Sequence, residues 1–301
     1  MTHTLHLGDS EGVLQFYQDN TFDSIVTDPP YGINFMNRGW DYNLPSINIW
    51  KECLRVLKPG GHILAFSSAR TYHRLVVNIE DAGFEIRDQI MWVYGSGFPK
   101  NHNVGKSVQK IDTDNNDWNG WGTGLKPAHE PIVLARKPLS EKTIALNVLK
   151  WGTGAINVDK SRVEGGRFPA NFIHDGSQQV LDLFPQTTNG YIAEHHKRSS
   201  DDDGFLKELH TDPPMSSTYG DKGSASRYFY CAKASKKERN AGCETLPDKE
   251  WKHHKCSNVA EDGIHNANGK GTVAGVSKNN HPTVKPQALM TYLINLITPP
   301  G

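Results

Sequence analysis

Asp28-Pro29-Pro30-Tyr31 is the stretch of this 301-residue chain whose residue types and spacing are best suited to chemistry. The apolar run Phe22, Ile25, Val26 ends there in a carboxylate, two prolines and an aromatic ring. Two consecutive prolines remove two backbone donors and fix φ, so they end a buried strand in a rigid loop. In open α/β sheets the carboxyl ends of the strands are where ligands bind. The loop offers a carboxylate, a proline carbonyl and a flat ring. That set suits a planar heteroaromatic base bearing an amino group, with two acceptors for its N–H groups and a face for stacking.

The competing structural reading is a Pro-Pro turn whose Asp caps a loop or helix. The chain carries its own control. Thr211-Asp212-Pro213-Pro214-Met215 repeats Thr-Asp-Pro-Pro, but the preceding residues 205–210 are charged and Met215 replaces the ring. The second copy reads as a loop and the first as the site.

Elements of an α/β domain position the tetrapeptide. Strands are expected at Thr4–Leu7, at 22–27, at His62–Phe66, at Ile86–Tyr94 and at Glu130–Arg136. Helices are expected at 11–18, on the stripe Ile47, Trp50, Cys53, Leu54, Leu57 before Lys58-Pro59-Gly60-Gly61, and on Leu75, Val76, Ile79 before a Gly83 cap. Residues 95–127 read as a long Gly/Asn/Trp-rich loop, and loops of that length usually carry function. Trp-Gly-Thr-Gly occurs at 121–124 and at 151–154, both read as tight turns near a ligand. Beyond 150 the chain turns polar, with Gly176–Phe184 as its clearest helix. Apolar positions 289, 290, 293, 296 and 297 mark a last helix over Gln287–Ile297.

Gly8-Asp9, Asp28-Pro-Pro-Tyr31, Leu57-Lys-Pro-Gly-Gly61, Leu125-Lys-Pro-Ala-His-Glu-Pro131 and His281-Pro-Thr-Val-Lys-Pro286, in that order, resemble the DNA amino-methyltransferases. They match the permuted branch, in which the catalytic half precedes the cofactor half. The resemblance implies a Rossmann-like, doubly wound α/β methyltransferase sheet, here incomplete, with an inserted irregular target-recognition region. It divides the chain into a catalytic part (1–150), a recognition insertion (151–275) and the start of a cofactor-binding part (276–301). It implies S-adenosylmethionine as methyl donor and double-stranded DNA as partner.

Transfer would be to the exocyclic amine of a flipped base. Adenine N6 is favoured over cytosine N4 because Asp opens the tetrapeptide. Asp28, Pro29, Pro30 and Tyr31 take the catalytic place. Asp9, His281, Thr283 and Lys285 take the cofactor place, with Lys285 set to pair the donor's carboxylate. Asp9 reads almost equally well as a helix N-cap. The family's Phe-x-Gly-x-Gly cofactor loop is expected just beyond Thr298-Pro-Pro-Gly301, so the sequence reads as part of a longer protein. Two enzyme alternatives are methylation of RNA and of a protein glutamine. Asp28 in place of Asn and the large insertion argue against the glutamine. A third alternative is a non-catalytic DNA-binding remnant.

Charge and composition narrow the classes. The formal net charge is zero, which argues against a nucleic-acid coat protein but not against a local basic face. Residues 222–255 hold nine Lys or Arg against four acids, with Tyr228, Phe229, Tyr230 and Trp251 interleaved. Phosphate contact is the functional reading of that stretch, and a solvated face is its equal. No run approaches the ~18 apolar residues of a membrane helix. The four cysteines lack framework spacing, which fits reduced thiols in the cytoplasm of a bacterial or virus-infected bacterial cell. Gly269-Lys-Gly-Thr-Val-Ala274 has no strand before it and no helix after it, so a dinucleotide site is rejected. Gly105-Lys106-Ser107 lacks a P-loop's first glycine. Cys231, Cys243, His253, His254 and Cys256 lack a C-x2-C pair, so no metal site is expected.

Overall fold

The computed structural model describes residues 3–34, 39–95, 97, 101–188, 222–232, 238, 240–247, 249–254, 272–277, 279 and 284–300. Two compact units divide the chain. The first is Met1–Cys231 with Leu293–Gly301, and the second is Ala232–Tyr292.

The first unit is built on a mixed six-stranded sheet. β1 (Phe22–Thr27) pairs parallel with β2 (Leu57–Phe66), which pairs antiparallel with β4 (His129–Arg136). β4 pairs antiparallel with β3 (Glu85–Val93), and the short strands β5 (Phe172–His174) and β8 (Tyr230–Cys231) follow in parallel. The order is β1-β2-β4-β3-β5-β8. An α/β sheet with helices between its parallel strands is the expected class, and β4 is the single strand here that runs against its neighbours.

Helix α2 (Ile47–Val56) buries Trp50, Cys53 and Val56, and α3 (Tyr72–Asp81) buries Leu75 and Ile79. Trp50, Cys53, Leu75 and Ile79 join Leu57, Ile63, Ala65, Val133 and Ala135 in one core cluster, so the alternating positions of β2 and β4 face both helices. The intervening Leu64, Phe66, Ile132 and Leu134 are buried as well, so the sheet is covered on both faces.

Several sequence expectations are corrected. Residues 4–7 form no strand, and Leu5 and Leu7 are exposed. No strand lies beside them among the described residues, and an unpaired strand leaves its backbone groups without a ladder. The helix expected at 11–18 is only α1, Ser10–Leu14. Arg55 ends it by donating to the Leu14 and Tyr17 carbonyls at 2.9 and 2.8 Å, while pairing with Asp19 at 2.7 Å. β2 begins at Leu57, earlier than His62, because Lys58-Pro-Gly-Gly61 runs on as strand with a left-handed Gly60 (φ +80°). The helix expected at Gly176–Phe184 shortens to α6, Gln178–Leu181.

The loop at 95–127 is partly organised. It holds α4 (Val104–Val108) and a bridge between Asn103 and Gly122. Its Trp-Gly-Thr-Gly turn is pinned by Asn101, whose Oδ1 accepts from Thr123 and Gly124 N–H at 2.6 and 3.1 Å. The second copy closes helix α5 (Ile144–Trp151), with Gly152 as a left-handed cap (φ +76°). Thr153 Oγ1 there donates to the Pro59 carbonyl at 2.6 Å.

β6 (Gln186–Thr188) and β7 (Lys222–Ser224) form a separate antiparallel pair. In the second unit β9 (Lys249–His254) and β10 (Thr272–Ser277) form an antiparallel ribbon. Residues 272–274 thus lie in a strand, which agrees with the rejection of a helix-opening glycine fingerprint. The last helix, α7 (Gln287–Ile297), has the expected bounds. In the first unit its end is tied by Asn157 N–H donating to the Leu296 carbonyl at 2.7 Å, and Thr298 meets Ser24 of β1 at 2.7 Å. The repeat at 211–215 lies outside the described residues.

Candidate active site

β1 stops at Thr27 and Asp28 follows at once, exposed at the carboxyl edge of the sheet. Thr27 lies opposite Ala65 of β2, and β2 ends one residue later. β4 runs the other way, so its first residues arrive at this same edge. Val93 pairs with His129 and Trp92 with Glu130. Residues far apart in sequence therefore meet where β1, β2 and β3 end and β4 begins.

At that edge the Tyr31 hydroxyl lies 2.8 Å from Asp28 Oδ1 and 2.7 Å from Glu130 Oε2. Burial and the two neighbouring carboxylates push its pKa far above the usual tyrosine value, so it stays a neutral phenol. Tyr94, one residue past β3, lies close enough to Glu130 to feel its charge. Burial, then Glu130, pushes the Tyr94 pKa upward too. Its ring packs tilted against Trp92 with centroids 5.2 Å apart.

The backbone of the loop is held from below. Asp41, 1 % exposed, accepts the Tyr31 N–H at 2.6 Å and the Gly32 N–H at 3.0 Å through one carboxylate oxygen. The Asp41 carbonyl accepts from Asn34 N–H at 2.9 Å. Thr71 Oγ1 donates to the Tyr31 carbonyl at 2.7 Å. Gly32 is left-handed (φ +65°), and a Cβ there would come within 3.1 Å of Leu44 N, so this turn calls for glycine. The prolines thus stand between a strand end and a four-point anchor.

Asp28, Pro29, Pro30 and Tyr31 lie in the loop that follows β1. The residues sequence reasoning missed are Glu130, Tyr94 and Asp41. Glu130 carried a signal, since it sits inside Leu125–Pro131 at the start of an expected strand. Asp41 gave none: it is a lone carboxylate in Gly39-Trp-Asp-Tyr-Asn43.

Of the expected cofactor residues, Asp9 and Lys285 fall among the described residues. Asp9 is the N-cap of α1, its Oδ1 accepting from Glu11 and Gly12 N–H at 3.1 and 3.2 Å. Its second oxygen takes no part in the cap, so this exposed carboxylate still fits a hydroxyl- or amine-bearing ligand. Lys285 lies in the second unit, just before α7. His281 and Thr283 lie outside the described residues. Arg227, within the basic stretch, serves the fold. It donates to the Gly223 and Ser224 carbonyls at 2.6 and 2.7 Å and stacks on Tyr228.

The structure thus sets the acidic Pro-Pro-Tyr loop at the carboxyl edge of β1 in a mixed α/β sheet. A family described as DNA methylase, N6/N4 type, matches residues 22–301, and the chain belongs to that family. It is 31 % identical over 110 residues to the type II methyltransferase M.HindIII of Haemophilus influenzae, covering 35 % of this chain and 36 % of that protein. It is 33 % identical over 150 residues to M.HpaI of Haemophilus parainfluenzae, covering 46 % and 40 %. The chain therefore spans about two-fifths or less of these relatives' length. A solved structure of the cytosine-N4-specific PvuII DNA methyltransferase matches at 14 % identity with a TM-score of 0.35, over 59 % of this chain and 60 % of that one.

Proposed function

We propose that this chain is the catalytic part of a site-specific DNA methyltransferase that modifies the exocyclic amine of a base flipped out of the duplex. The observation that carries the reading is the Asp28–Tyr31 pair at the sheet edge, anchored through its backbone by Asp41 and Thr71. Family membership supports the reaction class and S-adenosylmethionine as donor. When bound, that donor supplies an electrophilic methyl group on a sulfonium.

An aromatic amine is a poor nucleophile because its lone pair is delocalised into the ring. Asp28 and the Pro29 carbonyl accept its two N–H groups and favour a pyramidal nitrogen with a localised pair. Pro30 keeps the loop rigid, and Tyr31 presents a ring for the base to stack on, worth about 1–3 kcal/mol. Adenine N6 is the favoured target, on the acidic first residue of the tetrapeptide. Asp9, His281, Thr283 and Lys285 are proposed to contact the donor. Residues 1–150 are taken as the catalytic part, 151–275 as the target-recognition insertion and 276–301 as the start of the cofactor-binding part. Double-stranded DNA is the partner, and the bacterial cytoplasm is the setting.

The test is Asp28→Ala in the whole protein. Labelled-methyl incorporation into duplex DNA should fall by about 100-fold or more, as when a site loses a key polar contact in the transition state. Duplex affinity should be unchanged. Persistent incorporation would remove Asp28 from the reaction.

A further inference from the structure

The Tyr31 hydroxyl is within hydrogen-bond distance of two carboxyl groups, Asp28 Oδ1 at 2.8 Å and Glu130 Oε2 at 2.7 Å. A phenol has one proton to give. With both carboxyls ionised, one contact is a hydrogen bond and the other sets two oxygen lone pairs face to face. Both contacts become hydrogen bonds only when a second proton enters the row. The row leads away from the place proposed for the base: Asp28 is exposed at the sheet edge, while Glu130 is half-buried.

Methylation of an amine releases one proton. The nitrogen–carbon bond forms, the carbon–sulfur bond breaks with its electrons going to sulfur, and one N–H bond must then break. We propose that Asp28, Tyr31 and Glu130 form the exit for that proton, with Glu130 as its acceptor. Asp28 takes the proton from the methylated nitrogen. Tyr31 receives it on the phenol oxygen while passing its own hydroxyl proton to Glu130. Tyr31 is neutral before and after, so the exchange never requires the phenolate that burial disfavours. Asp28 returns to its ionised form, and Glu130, only half-buried, gives the proton to solvent before the next base is methylated. The inference rests on the proposed methyl transfer and adds two residues to it: Tyr31 through its hydroxyl, and Glu130.

The variants separate a proton path from a prop. Tyr31→Phe keeps the stacking ring and removes the link. Glu130→Gln keeps an acceptor oxygen for the Tyr31 hydroxyl and removes the proton sink. Single-turnover methyl transfer by the whole protein should slow about tenfold or more in each, with duplex affinity and thermal midpoint held, and Glu130→Gln should be no faster than Glu130→Ala. A readout independent of turnover is proton NMR of the 301-residue chain. The wild type should show a slowly exchanging, downfield hydroxyl resonance that is lost in Tyr31→Phe and displaced in Glu130→Gln. Wild-type rates in Glu130→Gln would reduce Glu130 to a support for the ring and overturn the exit path. A wild-type protein that transfers no methyl group would overturn the functional reading, and the path with it.

Discussion

Replacing Asp41 with alanine should loosen the candidate site without touching any group proposed to meet the base. Asp41 is 1 % exposed, and one of its oxygens accepts both the Tyr31 and Gly32 N–H groups. Alanine leaves these two backbone donors without that acceptor in a crowded turn. Each donor so orphaned costs about 1–3 kcal/mol, so the closed loop should lose roughly 4 kcal/mol. Asp41→Asn keeps a carbonyl oxygen in place and loses only the charge assistance, about 1–2 kcal/mol. Amide hydrogen exchange at Tyr31 and Gly32 reads the loss directly. At 1.4 kcal/mol per factor of ten, exchange should accelerate by about three orders of magnitude in Asp41→Ala and by about one in Asp41→Asn. Amides of β2 and β4 should be little changed, because the loop opens locally. Methyl transfer should fall in the same order. Unchanged exchange at Tyr31 and Gly32 in Asp41→Ala would refute the anchoring argument.

Two further outcomes follow from the core. Burial, then the charges of Arg136 and Arg87, lowers the His62 pKa from 6.5 to about 4, so as the pH falls the unfolded chain takes the proton first. Stability should therefore decline between pH 6.5 and 4 by about 3 kcal/mol from this group and level off below. Equilibrium unfolding of His62→Gln across that range should lack this component. Asn147, fully buried, donates to the Pro59 and Thr153 carbonyls, both at 2.8 Å, and accepts the Ser140 N–H at 3.1 Å. Asn147→Ala should cost about 2–4 kcal/mol in denaturant unfolding, and a change within about 0.5 kcal/mol would show the tie to be dispensable.

The tetrapeptide and its strand were legible because the signal was local: an apolar run, two prolines and a ring within ten residues. The helices α2, α3 and α7 were legible for the same reason, since each buries a face that its pattern displays, and β4 was legible as a short apolar run buried on both faces. Residues 4–7 were misread because their apolar alternation described a willing strand and could not supply its neighbour. The extents of α1 and α6 were overread because helix ends are set by tertiary partners. Arg55, more than 35 residues downstream, takes the last carbonyl of α1, that of Leu14. Trp-Gly-Thr-Gly at 151–154 suggested a ligand turn by repetition. Its Gly152 caps helix α5, and Thr153 ties that cap to Pro59. Asp41 was invisible because a single carboxylate in a polar loop says nothing about which N–H groups it faces.

Glu130 lies within Leu125–Pro131, yet the sequence alone does not bring it to the candidate site, and the reason is topological. In an all-parallel sheet the first residues of every strand lie at the edge opposite the loops that bind ligands. The eight residues of β4 rise about 3.3 Å each, so a parallel β4 would carry Glu130 some 20 Å from Tyr31. Its antiparallel pairing with both β2 and β3 brings Glu130 to the edge where Asp28 follows β1. The reversal of one strand thus converts a strand-opening glutamate into the second carboxyl of the site, and the Tyr31 hydroxyl joins it to the first. If the exit path holds, β4 matters to the reaction through its direction as well as through the apolar residues it buries. A variant that keeps the β4 core and changes only its first two residues should then fold normally and transfer slowly.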